Sequence, residues 1–163
     1  MIIFLKNKHT LKVDDFQFRC SIGKNGIKKN KKEGDKSTPK GTFRLNNVYY
    51  RPDRVNSFNC AVKKTKIKKS MGWCDDPKNK FYNKLIKLNS RIKHEKLFRK
   101  DSKYNYLIEL DYNRKKVVPF RGSAIFLHLT KNYKPTAGCI AISRNDMQIL
   151  LKIIKNKTFI KIS

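Results

Sequence analysis

Apolar and polar residues alternate at period two near the N-terminus, where Phe16, Phe18, Cys20 and Ile22 share one face of a strand. Glycines and lysines break the pattern over 23–41, which reads as a long loop or hairpin. Residues 42–50 return to a strand pattern, and KKTKIKK at 63–69 reads as a solvated charged stretch. Asp76-Pro77 reads as an N-cap and first helical residue, with Phe81, Leu85 and Leu88 at helical spacing behind it. Residues 104–112, rich in Tyr, Ile and Leu, read as strand. SAIFLHLT at 123–130 is nearly continuous apolar sequence, suited to a central buried strand. The clearest helix comes last. Ser143 and Asp146 make a capping box, and Met147, Leu150, Leu151 and Ile154 recur at i, i+3, i+4, i+7. Residues 158–162 close as strand. The sum is a mainly β fold with a few short helices, in one domain spanning 1–163.

Composition narrows the classes. The chain has 163 residues and is 39% hydrophobic, enough to bury a core. No apolar run approaches the roughly 18 residues of a membrane span, so no transmembrane segment is expected. The opening apolar run ends at Lys6, short of the ~7–15 residues of a secretory core segment, so no signal peptide is legible. The net charge of +28 invites a nucleic-acid reading. Two features argue against it. Lys plus Arg is spread as 11, 10, 11 and 8 over 1–40, 41–80, 81–120 and 121–163, and Lys outnumbers Arg 31 to 9. Arg is the better bidentate phosphate ligand. With 15 Asn and 16 Ile beside the lysines, the excess fits an A/T-rich codon background, so no nucleic-acid partner is expected.

The four cysteines, Cys20, Cys60, Cys74 and Cys139, form no CxxC pair, and His9, His94 and His128 are scattered, so no metal site is expected. His128 needs an explanation inside an apolar strand. Period two puts Ala124, Phe126 and His128 on one face and Ile125, Leu127 and Leu129 on the other. Eleven residues after the histidine comes the small-residue turn Pro135-Thr-Ala-Gly-Cys139, followed by the β-like Ile140-Ala-Ile142. A free thiol has a pKa near 8.5 and needs a base to become a nucleophile at neutral pH, a task suited to imidazole. Gly138 permits a sharp turn, and the N–H groups of Gly138 and Cys139 are candidate oxyanion donors. His before Cys at this spacing is unlike the papain order.

The segment HLTKNYKPTAGCIAIS, His128 to Ser143, resembles the active-site signature of the L,D-transpeptidase (YkuD-like) catalytic domain. Two more blocks resemble the family in the right order: GDKSTPKGTF from Gly34 to Phe43, and GWCDDP from Gly72 with Tyr82-Asn83, His94-Glu95 and Arg99, as in the branch whose cysteine turn reads PTAGC. Where the commoner motif carries a second His and an Arg, this chain has Ala137 and Ala141. The resemblance implies a β-sandwich-type domain and a cysteine acyl-transferase acting on peptidoglycan stem peptides, without a cofactor. Cys139 is then the nucleophile and His128 the general base and acid, oriented by a backbone carbonyl with Gly122 and Ser123 as candidates. Thr136 braces the turn. Arg99, His94, Trp73, Tyr82, Asn83 and Thr136 are the candidate substrate-binding residues, with Asp75, Asp76 and Glu95 in the same block. Trp73 and Tyr82 are alternatively core, and Asp76 a cap.

Transpeptidation and its hydrolytic counterpart, L,D-carboxypeptidase or endopeptidase action, use the same thioester and differ only in the acceptor. A non-catalytic basic module binding RNA or the cell wall is the reading from a different class. The resemblance also implies a cell-envelope location, and a monomer is expected. Cys20 and Cys60 are expected in the core, Cys74 near the cleft, and His9 at the surface.

Overall fold

The computed structural model describes residues 1–88 and 91–163. Three antiparallel strands open the chain: β1 (Ile2–Asn7), β2 (Thr10–Val13) and β3 (Phe16–Ser21). Two short strands, β4 (Ile27–Lys28) and β5 (Thr38–Pro39), pair inside the long glycine-punctuated loop. The ten-residue β6 (Gly41–Tyr50) leads to β7 (Lys64–Lys66). A separate small sheet follows, with β8 (Met71–Cys74) between β9 (Leu85–Lys87) and β10 (His94–Lys96). The chain ends with β11 (Tyr106–Leu110), β12 (Phe126–Leu129), β13 (Ile140–Ile142), α1 (Arg144–Ile153) and β14 (Phe159–Ile162).

The main sheet runs β11-β12-β13-β3-β2-β1-β14-β6-β7, and β11 pairs back onto β6. That pairing closes a ring of eight strands in a barrel- or sandwich-like arrangement, leaving few edges to protect. β6 serves both halves: its first residues pair with β14, its last with β11 and β7. The lysine-rich β7 covers the open side of β6, where charged side chains suit an edge strand. Ile67, just beyond it, is buried.

The two-faced reading of β12 matches the packing. Ile125, Leu127 and Leu129 join the main core with Ile3, Leu11, Val48 and Ile140. Ala124 and Phe126 face a second cluster with Trp73, Tyr104, Leu107 and Cys139. On β3, Phe18 and Cys20 are buried while Phe16 stays exposed and stacks on Phe18.

The C-terminal helix forms as its pattern predicts. Ser143 Oγ accepts from Asp146 N–H at 3.1 Å, Asp146 lies in the first turn, and Met147, Leu150, Leu151 and Ile154 are buried against the barrel. Burying side chains of this kind contributes about 1.5–3 kcal/mol each.

The helix expected behind Asp76-Pro77 does not form, and α1 is the only α-helix among the described residues. Asp76 Oδ1 caps a turn by accepting from Lys78 N–H at 3.0 Å, and Asn79 Oδ1 takes the Phe81 N–H at 2.9 Å. These local bonds compete with a helical ladder. Asn83 then adopts a left-handed φ of 56°, and the chain enters β9. With Phe81 and Leu85 at 41% and 36% exposure, the apolar spacing has no core to face.

Candidate active site

β12 and β13 run parallel, with His128 opposite Ala141 and Leu127 opposite Ile140. Cys139 lies one residue before β13, so its side chain shares the β12 face that carries Phe126 and His128. Cys139 and His128, 8% and 6% exposed, line one cavity of about 580 Å³.

The cysteine turn is braced from three directions. Thr136 Oγ1 donates to the Cys139 carbonyl at 2.6 Å and accepts from Gly138 N–H at 3.1 Å. Thr38 Oγ1 donates to the Gly138 carbonyl at 2.8 Å while accepting from Gly23 N–H at 2.9 Å. Thr136 also pairs with the Ile22–Lys24 backbone. Gly138 has φ +145°, and a Cβ there would lie 2.8 Å from the Ser37 carbonyl oxygen, so the position needs glycine. The GDKSTPKGTF block is therefore the buttress of the cysteine turn.

The resting pair is neutral. Cys139 Sγ donates to the Ala124 carbonyl at 3.2 Å and accepts from Phe126 N–H at 3.4 Å. Burial, reinforced by the Glu95 carboxylate, pushes its thiol pKa up to about 12, against the opposing pull of the Phe126 N–H and Lys31. Burial, helped by the Lys103 and Arg99 charges, lowers the His128 pKa to about 4. His128 Nδ1 lies 2.9 Å from the Leu129 carbonyl oxygen. A carbonyl only accepts, so Nδ1 carries the proton and Nε2 keeps its lone pair. The ring also packs edge-on against Tyr104, 5.3 Å between centroids, and the Tyr104 hydroxyl donates to Glu95.

The expected site residues divide sharply. Arg99 and Thr136 line the cavity with Gly138, Cys139 and His128, as do Asp75 and Glu95. Arg99 already pairs with Asp101 through two bonds of 3.0 and 2.7 Å. Trp73, Tyr82 and Asn83 are buried away from the cavity. Trp73 Nε1 donates to Asn83 Oδ1 at 2.9 Å, and its ring packs edge-on against Phe126. Asn83, 1% exposed, also accepts from Ala124 N–H at 3.0 Å and donates to the Tyr112 and Asn113 carbonyls. It clamps the approach to β12. The Tyr82 hydroxyl donates to Glu33 and accepts from Gly122 N–H. His94 sits on β10 against Gly72, outside the cavity lining, with Nδ1 2.5 Å from the Ile92 carbonyl oxygen.

Two further expectations are corrected. The carbonyl that meets His128 belongs to Leu129, its own neighbour; Ser123 Oγ donates to Glu33 at 2.7 Å, and the Gly122 carbonyl accepts from Asn113. The Gly138 N–H expected in the oxyanion site is engaged by Thr136. Lys31, Glu33, Lys103 and Tyr104 line the cavity without having stood out in the sequence. Lys31 and Glu33 directly precede the GDKSTPKGTF block, which was the available signal.

All four cysteines are free; Cys20 and Cys74 are buried and Cys60 half-buried. Among the described residues, no cluster of three His, Cys, Asp or Glu has metal-binding geometry, and no helix is long and apolar enough to cross a membrane. No curated protein and no solved structure matches the chain. A family model described as the L,D-transpeptidase catalytic domain, YkuD, matches residues 1–162. With the match extending over nearly the whole chain, this protein belongs to the L,D-transpeptidase catalytic domain family.

Proposed function

We propose that this protein is a peptidoglycan L,D-transpeptidase of the cell envelope, using Cys139 as nucleophile and His128 as base. The observation that supports this most is the shared cavity of Cys139 and His128, with the imidazole Nδ1–H held by Leu129 so that Nε2 is the basic nitrogen. The raised thiol and lowered imidazole pKa values disfavour a standing thiolate–imidazolium pair. Proton transfer then accompanies attack on a bound substrate.

In the forward step the thiol swings from the Ala124 carbonyl towards His128 Nε2. The sulfur attacks the carbonyl of the third stem residue, and the C=O π pair moves onto oxygen. Cys139 N–H is the backbone donor for that oxyanion, because the Gly138 N–H is held by Thr136. Collapse breaks the bond to the fourth residue, whose amine leaves with the proton from His128. An amine from a second stem attacks the thioester, His128 takes its proton, and the thiol re-forms. The basic cavity rim, including Lys36, Lys103, Lys131 and Lys134, favours encounter with stems that carry free carboxylates.

The test is incubation of the purified protein with tetrapeptide muropeptides and mass analysis of products. Cross-linked dimers that are lost in Cys139→Ala are expected. Tripeptides alone would remove the transfer reading in favour of hydrolysis, and unchanged function in Cys139→Ala would favour a binding module.

A further inference from the structure

Lys31 lies against the cysteine turn. Its side chain is 3% exposed and lines the same cavity as Cys139, Gly138 and His128. A Cβ built on Gly122 would lie 2.8 Å from Lys31 Cε, and one on Gly138 would lie 3.5 Å from Lys31 Nζ. Gly122 therefore leaves room for this side chain, and the ordinary contact distance at Gly138 places Nζ beside the cysteine turn. A buried ammonium requires a partner, and Asp35 supplies it at 2.7 Å. Nζ also donates to the Lys32 carbonyl at 3.2 Å. An ammonium has three N–H donors, and these two bonds leave the third uncommitted among the described residues.

The far side of the ion pair is held as well. Asp35 accepts from the Lys32 and Ser37 N–H groups at 2.8 and 2.9 Å. Burial raises its carboxyl pKa, but hydrogen bonds from Lys31, Ser37 and Lys32 outweigh that and hold it below the ordinary carboxylate range. Lys31 is thus a fixed charge in the cavity wall, anchored by Asp35 outside the lining.

We infer that Lys31 is the fixed cation of the acylation site, stabilising the negative charge that forms on Cys139 sulfur and then on the carbonyl oxygen it attacks. The inference rests on the acyl-transfer reading above and adds a residue to it. The Gly138 N–H is committed to Thr136, so the site has one backbone donor fewer than its turn suggests. A preorganised cation compensates without reorganising. Its field also opposes the effect of burial on the Cys139 thiol. Lys31 keeps its protons throughout. The sulfur pair forms the S–C bond, the π pair moves to oxygen and returns, the C–N bond breaks, and His128 carries the only transferred proton.

Alkylation of Cys139 in the full chain tests this, with anionic iodoacetate and neutral iodoacetamide compared by peptide mass spectrometry. Lys31→Met is expected to lower the iodoacetate-to-iodoacetamide rate ratio on the order of fivefold. Lys31→Arg should restore most of it, and Lys36→Met, at an exposed lysine on the same cavity, should change it less. Asp35→Asn should raise the ratio above wild type, because the cation loses its counter-charge. This opposite sign keeps the test valid even where Lys31→Met folds poorly. An unchanged ratio in Lys31→Met, or a fall in Asp35→Asn, overturns the inference. A fall in both rates is expected beside the fall in the ratio, because both reagents need the thiolate that Lys31 stabilises. A Lys31-dependent ratio without muropeptide products removes the transpeptidase reading and leaves the cation in place. Products with a Lys31-independent ratio do the reverse.

Discussion

Thr38 and Gly138 stand 100 residues apart in the chain, yet the Thr38 hydroxyl donates to the Gly138 carbonyl at 2.8 Å. That bond locks the middle of the GDKSTPKGTF block onto the cysteine turn. Thr38→Val leaves the Gly138 carbonyl and the Gly23 N–H without their partner, both at buried positions. The expected cost is about 1–3 kcal/mol, read from urea unfolding midpoints, with slower turnover at Cys139. Thr38→Ser keeps the hydroxyl and should recover most of both.

Asn83 is a structural clamp. Its side chain joins Trp73, Ala124, Tyr112 and Asn113, and its backbone sits at φ 56°. Asn83→Ala removes four hydrogen bonds at once, two buried and two half-buried, and should destabilise the fold by about 3 kcal/mol. The folded fraction should keep its substrate KM. A raised KM at unchanged melting temperature would instead mark Asn83 as a substrate contact.

His128 ties stability to acid. Its pKa is lowered from the ordinary 6.5 to about 4, so between those values the unfolded chain binds the proton and the folded chain does not. The contribution is fully present above pH 6.5 and is lost as pH falls towards 4. Its size is about 3 kcal/mol, to order of magnitude. Asp75 and Glu95 are shifted upwards by burial and act in the opposite sense, so the readout is a difference. Urea unfolding of wild type and His128→Gln from pH 4 to 7 should show the wild type losing more stability on acidification. Parallel curves would contradict a buried neutral imidazole.

The sequence made some of this legible and not the rest, for physical reasons. α1 was readable because its cap and apolar stripe are local and agree. The two faces of β12 followed from period two, whereas the alignment of Cys139 with His128 comes from the parallel register of β12 and β13, a long-range pairing that periodicity does not show. The Asp76 helix failed because Asp76 and Asn79 side chains take backbone N–H groups that a helix needs. Trp73, Tyr82 and Asn83 lie in a motif that suggests chemistry, yet their work is to hold the approach to β12. Lys31 could not be told from its lysine neighbours. Its burial depends on Gly122, about 90 positions away, which only the closed fold brings beside it.

The central claim is that Cys139 forms a thioester with His128 as its base. The most direct measurement is peptide-mapping mass spectrometry of protein quenched during turnover of a tetrapeptide stem. The expected result is an adduct on Cys139 equal to the stem without its fourth residue, strongly reduced in His128→Gln. Product formation with no adduct on Cys139, or with the adduct on Cys20, Cys60 or Cys74, would contradict it.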